Sequence, residues 1–382
     1  MSERIHIKAE LLEWARERAG ISMDALCDRF VRYPEWLSGE REPTLKQVES
    51  FAAATFAPLG YLFLDSPPKE SLPFPDFRTV TDRQIPRPSP HLLDTIHAVQ
   101  RRQEWMREFL LEEGEEPLEF IGSRTLRDSP VEVAAEIRET LGLNAQWTRH
   151  LRTWEEALRR LVQKIEEVGV MVMINGVVEN NTRRPLDVGE FRGFVLSDPY
   201  APAIFINGRD AKAAQMFTLV HELAHLWLGK GGLSDCLEPS SSAHRVELFC
   251  NHVAAEVLVP KQEMTAVWDE LEVAPDRFDR LARRFKVSPV VAARRALDME
   301  LISREAYFAF YRDYQAEAEK RRTKGSGGDF YRTLGSRLGK RFPAAVYVAA
   351  KEGRLGYREA YQLTGLSGVN YDRFGKKFGF AL

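Results

Sequence analysis

One helix dominates the interpretation of this sequence because it carries the pentapeptide HELAH. The helical pattern covers residues 210–228, with an aspartate at its start and a glycine directly after it. Residues four apart lie on one face of a helix, about 5–6 Å apart at Cβ. His221 and His225 can therefore reach one zinc ion while the helix stays intact. Glu222 projects to one side, where it can act as a general base toward a metal-bound water.

A catalytic zinc site needs a third protein ligand and one open position. Glu247 is the expected ligand, because it lies on the next predicted helix (242–258) and a glycine-rich segment between the two helices lets the chain turn back. Glu256, two and a half turns further along that helix, is a weaker choice. His244 and His252 are alternatives on ligand chemistry alone.

Three short runs that precede the HELAH helix indicate a small β-sheet. VGVMVMI (168–174), FRGFVLS (191–197) and AIFIN (203–207) are rich in β-branched and aromatic residues and are bounded by turn formers. Arg192, on the second run, is a candidate to line a substrate cleft, although an exposed strand arginine fits the pattern equally. Since most other segments have helical periodicity, the predicted fold class is α+β and mostly helical.

Composition divides the chain into six predicted segments. A helical N-terminal domain is followed by a linker whose prolines favour an extended connector. Next come a helical connecting region, in which capping boxes at 129–132 and 153–156 predict two helix starts, and then the metal-site core. A second helical region and a basic helical C-terminal domain complete the chain. The boundaries are 1–66, 67–90, 91–165, 166–265, 266–320 and 321–382.

The overall composition is that of an ordinary globular protein, with 44% hydrophobic and 29% charged residues. No apolar run approaches the roughly 18 residues of a membrane span, and the charged N-terminus lacks the apolar core of a signal peptide. Cys27, Cys236 and Cys250 are scattered without a CxxC pair, which argues against disulfides and an all-cysteine zinc site. We therefore expect a cytoplasmic protein.

Two stretches resemble the ImmA/IrrE family of metallopeptidases well beyond the five-residue motif. They are EFRGFVLSDPYAPAIFINGRDAKAAQMFTLVHELAHLWLG (190–229) and VELFCNHVAAEVLVP (246–260), and the resemblance is strongest over residues 165–265. Family members are similar to gluzincin peptidases in active-site layout. Several of them act on helix-turn-helix repressors and so derepress stress, phage or mobile-element genes.

The resemblance implies roles for individual residues. It makes His221, His225 and Glu247 the zinc ligands and Glu222 the catalytic acid/base. The departures from the family pattern are small: Cys250 stands where alanine is commoner, and Val259 where methionine is. Cys250 could face the metal, but a small buried residue that packs the helix is the simpler interpretation.

The N-terminal domain resembles an Xre-type helix-turn-helix through GISMDALCDRF, WLSGEREPTLKQVESFAAA and PLGYLFL. The interval from Leu26 to Gly39 is about one helical turn shorter than in that family, so the recognition helix is truncated. The segment RYPEWLSGE offers only Arg32 as a cation, and the first 64 residues hold eight Lys or Arg against ten Asp or Glu. This composition favours contact with protein over contact with DNA.

The C-terminal segment has the opposite charge. Residues 320–382 hold 14 Lys or Arg against four Asp or Glu, a balance of +10. REAYQLTGLSGVNYDRFGKKFG (358–379) resembles a helix-turn-helix with Gly365 at its turn. This segment is electrostatically the better candidate for nucleic acid. The alternative is a small helical cap that docks on an acidic surface.

Three functions are consistent with these features. The first is a cytoplasmic zinc endopeptidase that cuts a regulatory protein, in particular a helix-turn-helix repressor. The second is a non-proteolytic antitoxin of a toxin–antitoxin pair, which would bind a toxin and operator DNA. The third is a metal-dependent DNA-binding sensor. Glu222 favours the first, because a purely structural metal site has no use for a base beside its ligand. The expected partners are a protein substrate or a toxin, with DNA at the C-terminal region and no membrane.

Overall fold

The computed structural model describes residues 4–70, 88–230, 232–234, 242–271, 274–321, 337–366 and 368–379. These residues form two compact units: an N-terminal unit, of which residues 4–70 and 88–96 are described, and a second unit, whose described residues begin at 97. The chain is mostly helical, at 59%, with a small mixed β-sheet, so the predicted α+β class is confirmed. Among the described helices, none is both long and apolar enough to cross a bilayer.

The N-terminal unit consists of short helices around an aromatic core. Its elements are α1 (Ala9–Arg18), α2 (Met23–Arg29), α3 (Tyr33–Ser38), α4 (Leu45–Thr55) and a 3₁₀ turn (Leu59–Phe63). Tyr33 stacks on Phe51 at a centroid distance of 5.6 Å and donates its hydroxyl to the carbonyl of Leu12. The α3 helix has six residues, and it ends at Gly39, where a φ of 77° favours glycine. The short interval before Gly39 thus corresponds to a helix of six residues, and its truncation relative to an Xre-type recognition helix stays a prediction.

Nine described helices follow along the chain up to residue 321. They are α5 (Pro90–Glu112), α6 (Pro130–Thr140), α7 (Trp154–Glu167), α8 (Lys212–Trp227), α9 (Ser242–Leu258), α10 (Lys261–Leu271), α11 (Arg277–Phe285), α12 (Pro289–Asp298) and α13 (Arg304–Arg321). The α6 and α7 helices start where the capping boxes predict. The Thr153 hydroxyl accepts from the Glu156 amide at 3.1 Å, whereas Ser129 makes no side-chain capping bond.

The main sheet has four strands in the order β1-β5-β4-β6. Its strands are β1 (Met171–Asn175), β4 (Gly193–Leu196), β5 (Ala203–Asn207) and β6 (Gly232–Ser234), and a separate hairpin is formed by β2 (Val177–Val178) and β3 (Asn181–Pro185). The β1 and β5 strands pair in parallel, whereas β4 is antiparallel to both of its neighbours. Every residue of β1, β4 and β5 is buried. The three predicted strands are confirmed, but β2, β3 and β6 were not predicted, because they are short or polar.

One hydrophobic cluster holds the sheet to its helices. Val172 and Ile204 from the sheet, Leu223 from α8, Val253 from α9 and Leu281 from α11 are fully buried members of it. Burying each such side chain contributes about 1.5–3 kcal/mol relative to leaving it exposed. The α8 and α9 helices are thereby held against each other and against the strands.

The start of α8 differs from its predicted cap. Ala211 is the N-cap residue and its side chain makes no capping bond. Asp210 instead forms an ion pair with Arg192 at 2.7 Å and accepts from the Ala211 amide at 2.8 Å. The helix ends at Trp227, as the following Gly229 predicts; a Cβ at that glycine would lie 2.9 Å from the Cα of Gly122.

The last described helices form a C-terminal module, residues 337–379. It contains α14 (Arg341–Lys351), α15 (Tyr357–Thr364) and α16 (Val369–Phe378). The start of α14 is held by Glu166 at the end of α7, whose Oε1 accepts from the amides of Lys340 and Arg341 at 2.7 and 3.1 Å. Burial raises the pKa of Glu166. A carboxylate at a helix N-terminus satisfies amides that have no partner within the helix.

The end of α15 is fastened by two further side chains. Arg102 of α5 donates from Nε to the carbonyl of Leu363 at 2.9 Å, and Asn180, in the turn between β2 and β3, donates to the carbonyl of Gly365 at 2.7 Å. Burial lowers the pKa of Arg102 to about 10, which still leaves it charged at neutral pH. The C-terminal module is therefore docked on the rest of the second unit through backbone groups, and side-chain contacts of Arg337 with Asn180 and of Arg354 with Glu113 add to the docking.

Candidate metal centre

The two histidines of the motif converge from consecutive turns of α8. The Nε2 atoms of His221 and His225 lie 3.1 Å apart, and both side chains are fully buried. The i, i+4 spacing places both rings on one helical face. The local sequence alone is enough to bring these two nitrogens together.

Glu247 completes the cluster from the neighbouring helix. Its Oε2 lies 3.0 Å from Nε2 of His221, and its Oε1 lies 3.2 Å from Nε2 of His225. The side chain is 1% exposed. Among the described residues, His221, His225 and Glu247 form a group whose ligand atoms all lie within 4.8 Å of one another. The packing of α9 on α8 therefore brings together the three residues predicted as ligands.

Burial and the attraction between its charged groups shift the pKa values of the cluster's side chains in different directions. Burial lowers the pKa of His225. At His221 burial acts the same way, but the carboxylates of Glu247 and Glu222 outweigh it and the pKa is raised. Burial also opposes ionisation of Glu247, yet its contacts with both imidazoles lower its pKa to about 2. An ionised carboxylate that faces two imidazoles is a donor set suited to a divalent metal.

Asn251 orients the first histidine. It follows Glu247 by four residues on α9, and its Oδ1 lies 3.0 Å from Nδ1 of His221. An amide oxygen only accepts, so Nδ1 of His221 donates in this contact and Nε2 is the nitrogen that faces the cluster. Sequence reasoning missed this residue. The signal was its i, i+4 spacing from Glu247, since metal-binding histidines regularly donate their second nitrogen to an oxygen.

Glu222 belongs to α8, and its side chain lies against strand β4. It is fully buried, and its charge acts on His221. A Cβ on Gly193 would lie 3.1 Å from Oε1 of Glu222 and 2.7 Å from Cγ2 of Thr218. Glycine at position 193 therefore allows the strand to approach the helix at the site. The arrangement places a carboxylate beside the cluster and against the sheet.

The peptidase resemblance is supported over this part of the chain. Residues 165–297 match the family model of the IrrE N-terminal-like domain. A second model, a domain of unknown function (DUF8813), matches residues 338–377. A comparison with curated proteins found no match. The IrrE-like domain (residues 165–297) begins near the end of α7 and extends through most of α12, beyond the predicted core boundary at 265.

Glu256, the weaker ligand candidate, has a structural role in the IrrE-like domain. Glu256 pairs with Arg295 of α12, and its backbone carbonyl accepts from Arg138 at 2.8 Å. Arg295 also donates from Nε to the carbonyl of Val259 at 3.0 Å. Glu256 therefore links α9 to α6 and α12 and is not part of the cluster.

The remaining candidates also lie outside the cluster. His252 is exposed on α9, and the side chain of His244 lies outside the described residues. Cys250 is fully buried in the hydrophobic cluster, in agreement with a packing role. Arg192 directly precedes β4, but its guanidinium pairs with Asp210 at the start of α8. Its suggested contact with substrate stays a prediction.

Proposed function

We propose that this protein is a zinc-dependent endopeptidase that cuts a regulatory protein, with helix-turn-helix repressors as the substrate class. The observation that carries the proposal is the convergence of His221, His225 and Glu247 beside the carboxylate of Glu222. A metal site with a structural role alone needs the three ligands but no additional buried base. The match of the IrrE-like domain to a peptidase family supports the same chemistry.

The residues fit zinc. Imidazole nitrogens and a carboxylate oxygen are its usual ligands in peptidases. The facing donor atoms are 3.0–3.2 Å apart, close to the separation of about 3.3 Å expected for ligands at about 2.0–2.1 Å on a tetrahedron. Zinc supplies, when bound, a Lewis acid that polarises the peptide carbonyl and makes water more acidic.

Each side chain at the site has its own role in the proposed peptide hydrolysis. Glu222 accepts a proton from the attacking water and returns it to the nitrogen of the leaving amine. Its burial against β4 shields the carboxylate from bulk water. Asn251 holds the His221 ring so that Nε2 faces the cluster. Glu247 supplies the negative charge that balances the cation.

The N-terminal unit supports recognition of a protein. Its short α3 helix buries Tyr33 and Trp36, while Val31 just before it is 82% exposed and Phe63 of the 3₁₀ turn is 50% exposed. Exposed apolar side chains on a net acidic unit favour a protein partner over the phosphates of DNA. We propose that this unit contacts the repressor or restrains the enzyme.

The test is cleavage by the full-length protein loaded with one equivalent of zinc. Helix-turn-helix repressors encoded beside its gene are incubated with the wild type and with Glu222→Gln, which keeps the size of the side chain. We expect discrete products from the wild type and a rate lower by at least about a hundredfold for the variant, as measured by mass spectrometry. If both forms bind zinc and neither cuts a repressor, the proposal fails. Tight binding of a co-encoded toxin would then support the antitoxin function.

A further inference from the structure

The C-terminal module has the burial pattern of a helix-turn-helix. In α15 and the following turn, Ala360, Thr364 and Leu366 are buried, and in α16 Tyr371 and Phe374 are buried. Four residues separate the two helices, and the first of them is Gly365, with a φ of 65°. A turn of this length that contains a glycine is typical of helix-turn-helix units.

The third helix of the unit is α14. Tyr347 of α14 stacks on Tyr371 of α16 at a centroid distance of 5.6 Å, and Tyr361 of α15 lies edge-on to Tyr371 at 5.3 Å. Gly375 packs so closely on the ring of Tyr347 that a Cβ there would collide with it. Three helices thus share one small core, which fixes the angle between α15 and α16.

The outer face of α16 is exposed and basic. Val369 is 64% exposed, and Asn370, Arg373 and Lys376 are also exposed. Neither Arg373 nor Lys376 makes an ion pair with a residue that the structure describes. Asp372 shares this face and could accept from the amino group of a cytosine. The module as a whole holds nine Lys or Arg against three Asp or Glu, a net charge of +6.

As far as the described residues show, docking of the module leaves this face open. Glu166, Arg102 and Asn180 hold the start of α14 and the end of α15 through backbone groups, and the exposed residues of α16 are not among their partners. We propose that α15 and α16 form a helix-turn-helix that binds duplex DNA, with α16 in the major groove. Arg373 and Lys376 contact phosphates or guanine edges, and Asn370 reads a base edge.

The test selects duplexes from a random library with the zinc-loaded full-length protein at about 0.15 M salt, and measures affinity by fluorescence anisotropy. Arg373→Ala with Lys376→Ala removes two positive charges from α16. Arg159→Ala with Arg160→Ala removes two from the exposed face of α7 and is the matched control. We expect the α16 pair to weaken binding at least about tenfold and to lower the salt slope by about 2, with little change for the control.

A second variant separates sequence recognition from charge. Arg373→Lys keeps the charge but removes the planar guanidinium, so the salt slope should persist while the sequence preference relaxes. The proposal is overturned if no duplex is enriched, or if the α16 pair and the α7 pair bind equally. It is also overturned if polyglutamate competes as well as the selected duplex, because the module would then be a surface for acidic proteins. These outcomes are independent of peptidase activity.

Discussion

Two buried glutamates in the second unit behave in opposite ways, although both are almost inaccessible to water. Glu247 faces two imidazoles, and these contacts lower its pKa to about 2 despite burial. Glu166 faces the backbone amides of Lys340 and Arg341, and burial raises its pKa. The comparison shows that the partners of a buried carboxylate, rather than its burial alone, decide whether it attracts a cation or fastens a helix.

The largest effect is expected at the metal centre. Glu247→Ala removes one of three ligands and the charge that balances the cation, so bound zinc should fall from about one equivalent to a small fraction of it. Elemental analysis after dialysis measures this change. His252→Ala, an exposed histidine on the same helix, is the control and should retain its zinc. Full zinc occupancy in Glu247→Ala would show that Glu247 is not needed as a ligand, and Glu247 and Glu166 would then no longer differ in function.

A smaller effect is expected at the residue that orients His221. Asn251→Ala removes the oxygen that accepts from Nδ1, and we expect zinc affinity to fall by about 10–100-fold. Asn251→Asp keeps an acceptor at the same position and should bind zinc more tightly than the alanine variant. Competition with a chelator of known affinity gives both values. Equal affinities for alanine and aspartate would show that this contact does not support the site.

At Glu166, which holds the start of the C-terminal module, the expected effect is on stability. Glu166→Ala leaves the amides of Lys340 and Arg341 without their acceptor, which should cost about 1–3 kcal/mol in the free energy of unfolding. Glu167→Ala, at the exposed neighbour, should leave the free energy of unfolding almost unchanged. Urea unfolding measures both. A loss in zinc content for Glu166→Ala would contradict the separation of the two sites.

The smallest expected effect is the pH dependence that Glu166 gives to the free energy of unfolding. Glu166→Gln keeps an oxygen for both amides but cannot ionise. Because the pKa of Glu166 is raised in the folded state, its favourable contribution is complete below the ordinary carboxyl pKa and is lost as the pH rises through the folded-state pKa. As the pH rises above the ordinary carboxyl pKa, the wild type should therefore lose stability relative to the glutamine variant. A pH-independent difference would show that the carboxyl does not titrate differently on folding.

The metal centre shows how far sequence reasoning reaches. His221 and His225 could be paired from spacing alone, since a helix fixes their separation. Glu256 had suitable chemistry too, and only its contact with Arg295, 39 positions away, assigns it to a structural role. Asp210 was expected to cap α8, but Arg192 from the strand region competes for its carboxylate. Local rules do not account for such long-range partners.

For the N-terminal and C-terminal segments, the sequence predicted some features and left others open. The short interval before Gly39 predicted a short α3, which has six residues in the structure, whereas its truncation relative to an Xre-type recognition helix stays a prediction. The basic charge of the C-terminal segment was equally evident, but its interpretation as a docking cap or a DNA-binding unit remained open. Among the described residues, the contacts that dock the module involve α14 and α15 and leave the outer face of α16 exposed, so the two interpretations are compatible.

The amino-acid sequence by itself determined the helix that carries HELAH, the strands that precede it, and the charge of the two end segments, because each depends on local periodicity or composition. The tertiary structure alone decided that Glu247 meets the two imidazoles, that Asn251 orients one of them, and that Glu166 holds the C-terminal module. Those contacts depend on how helices pack, and packing is set by the shapes of side chains distant in the chain. Electrostatics then follows, since a carboxylate acquires its role from the groups that surround it.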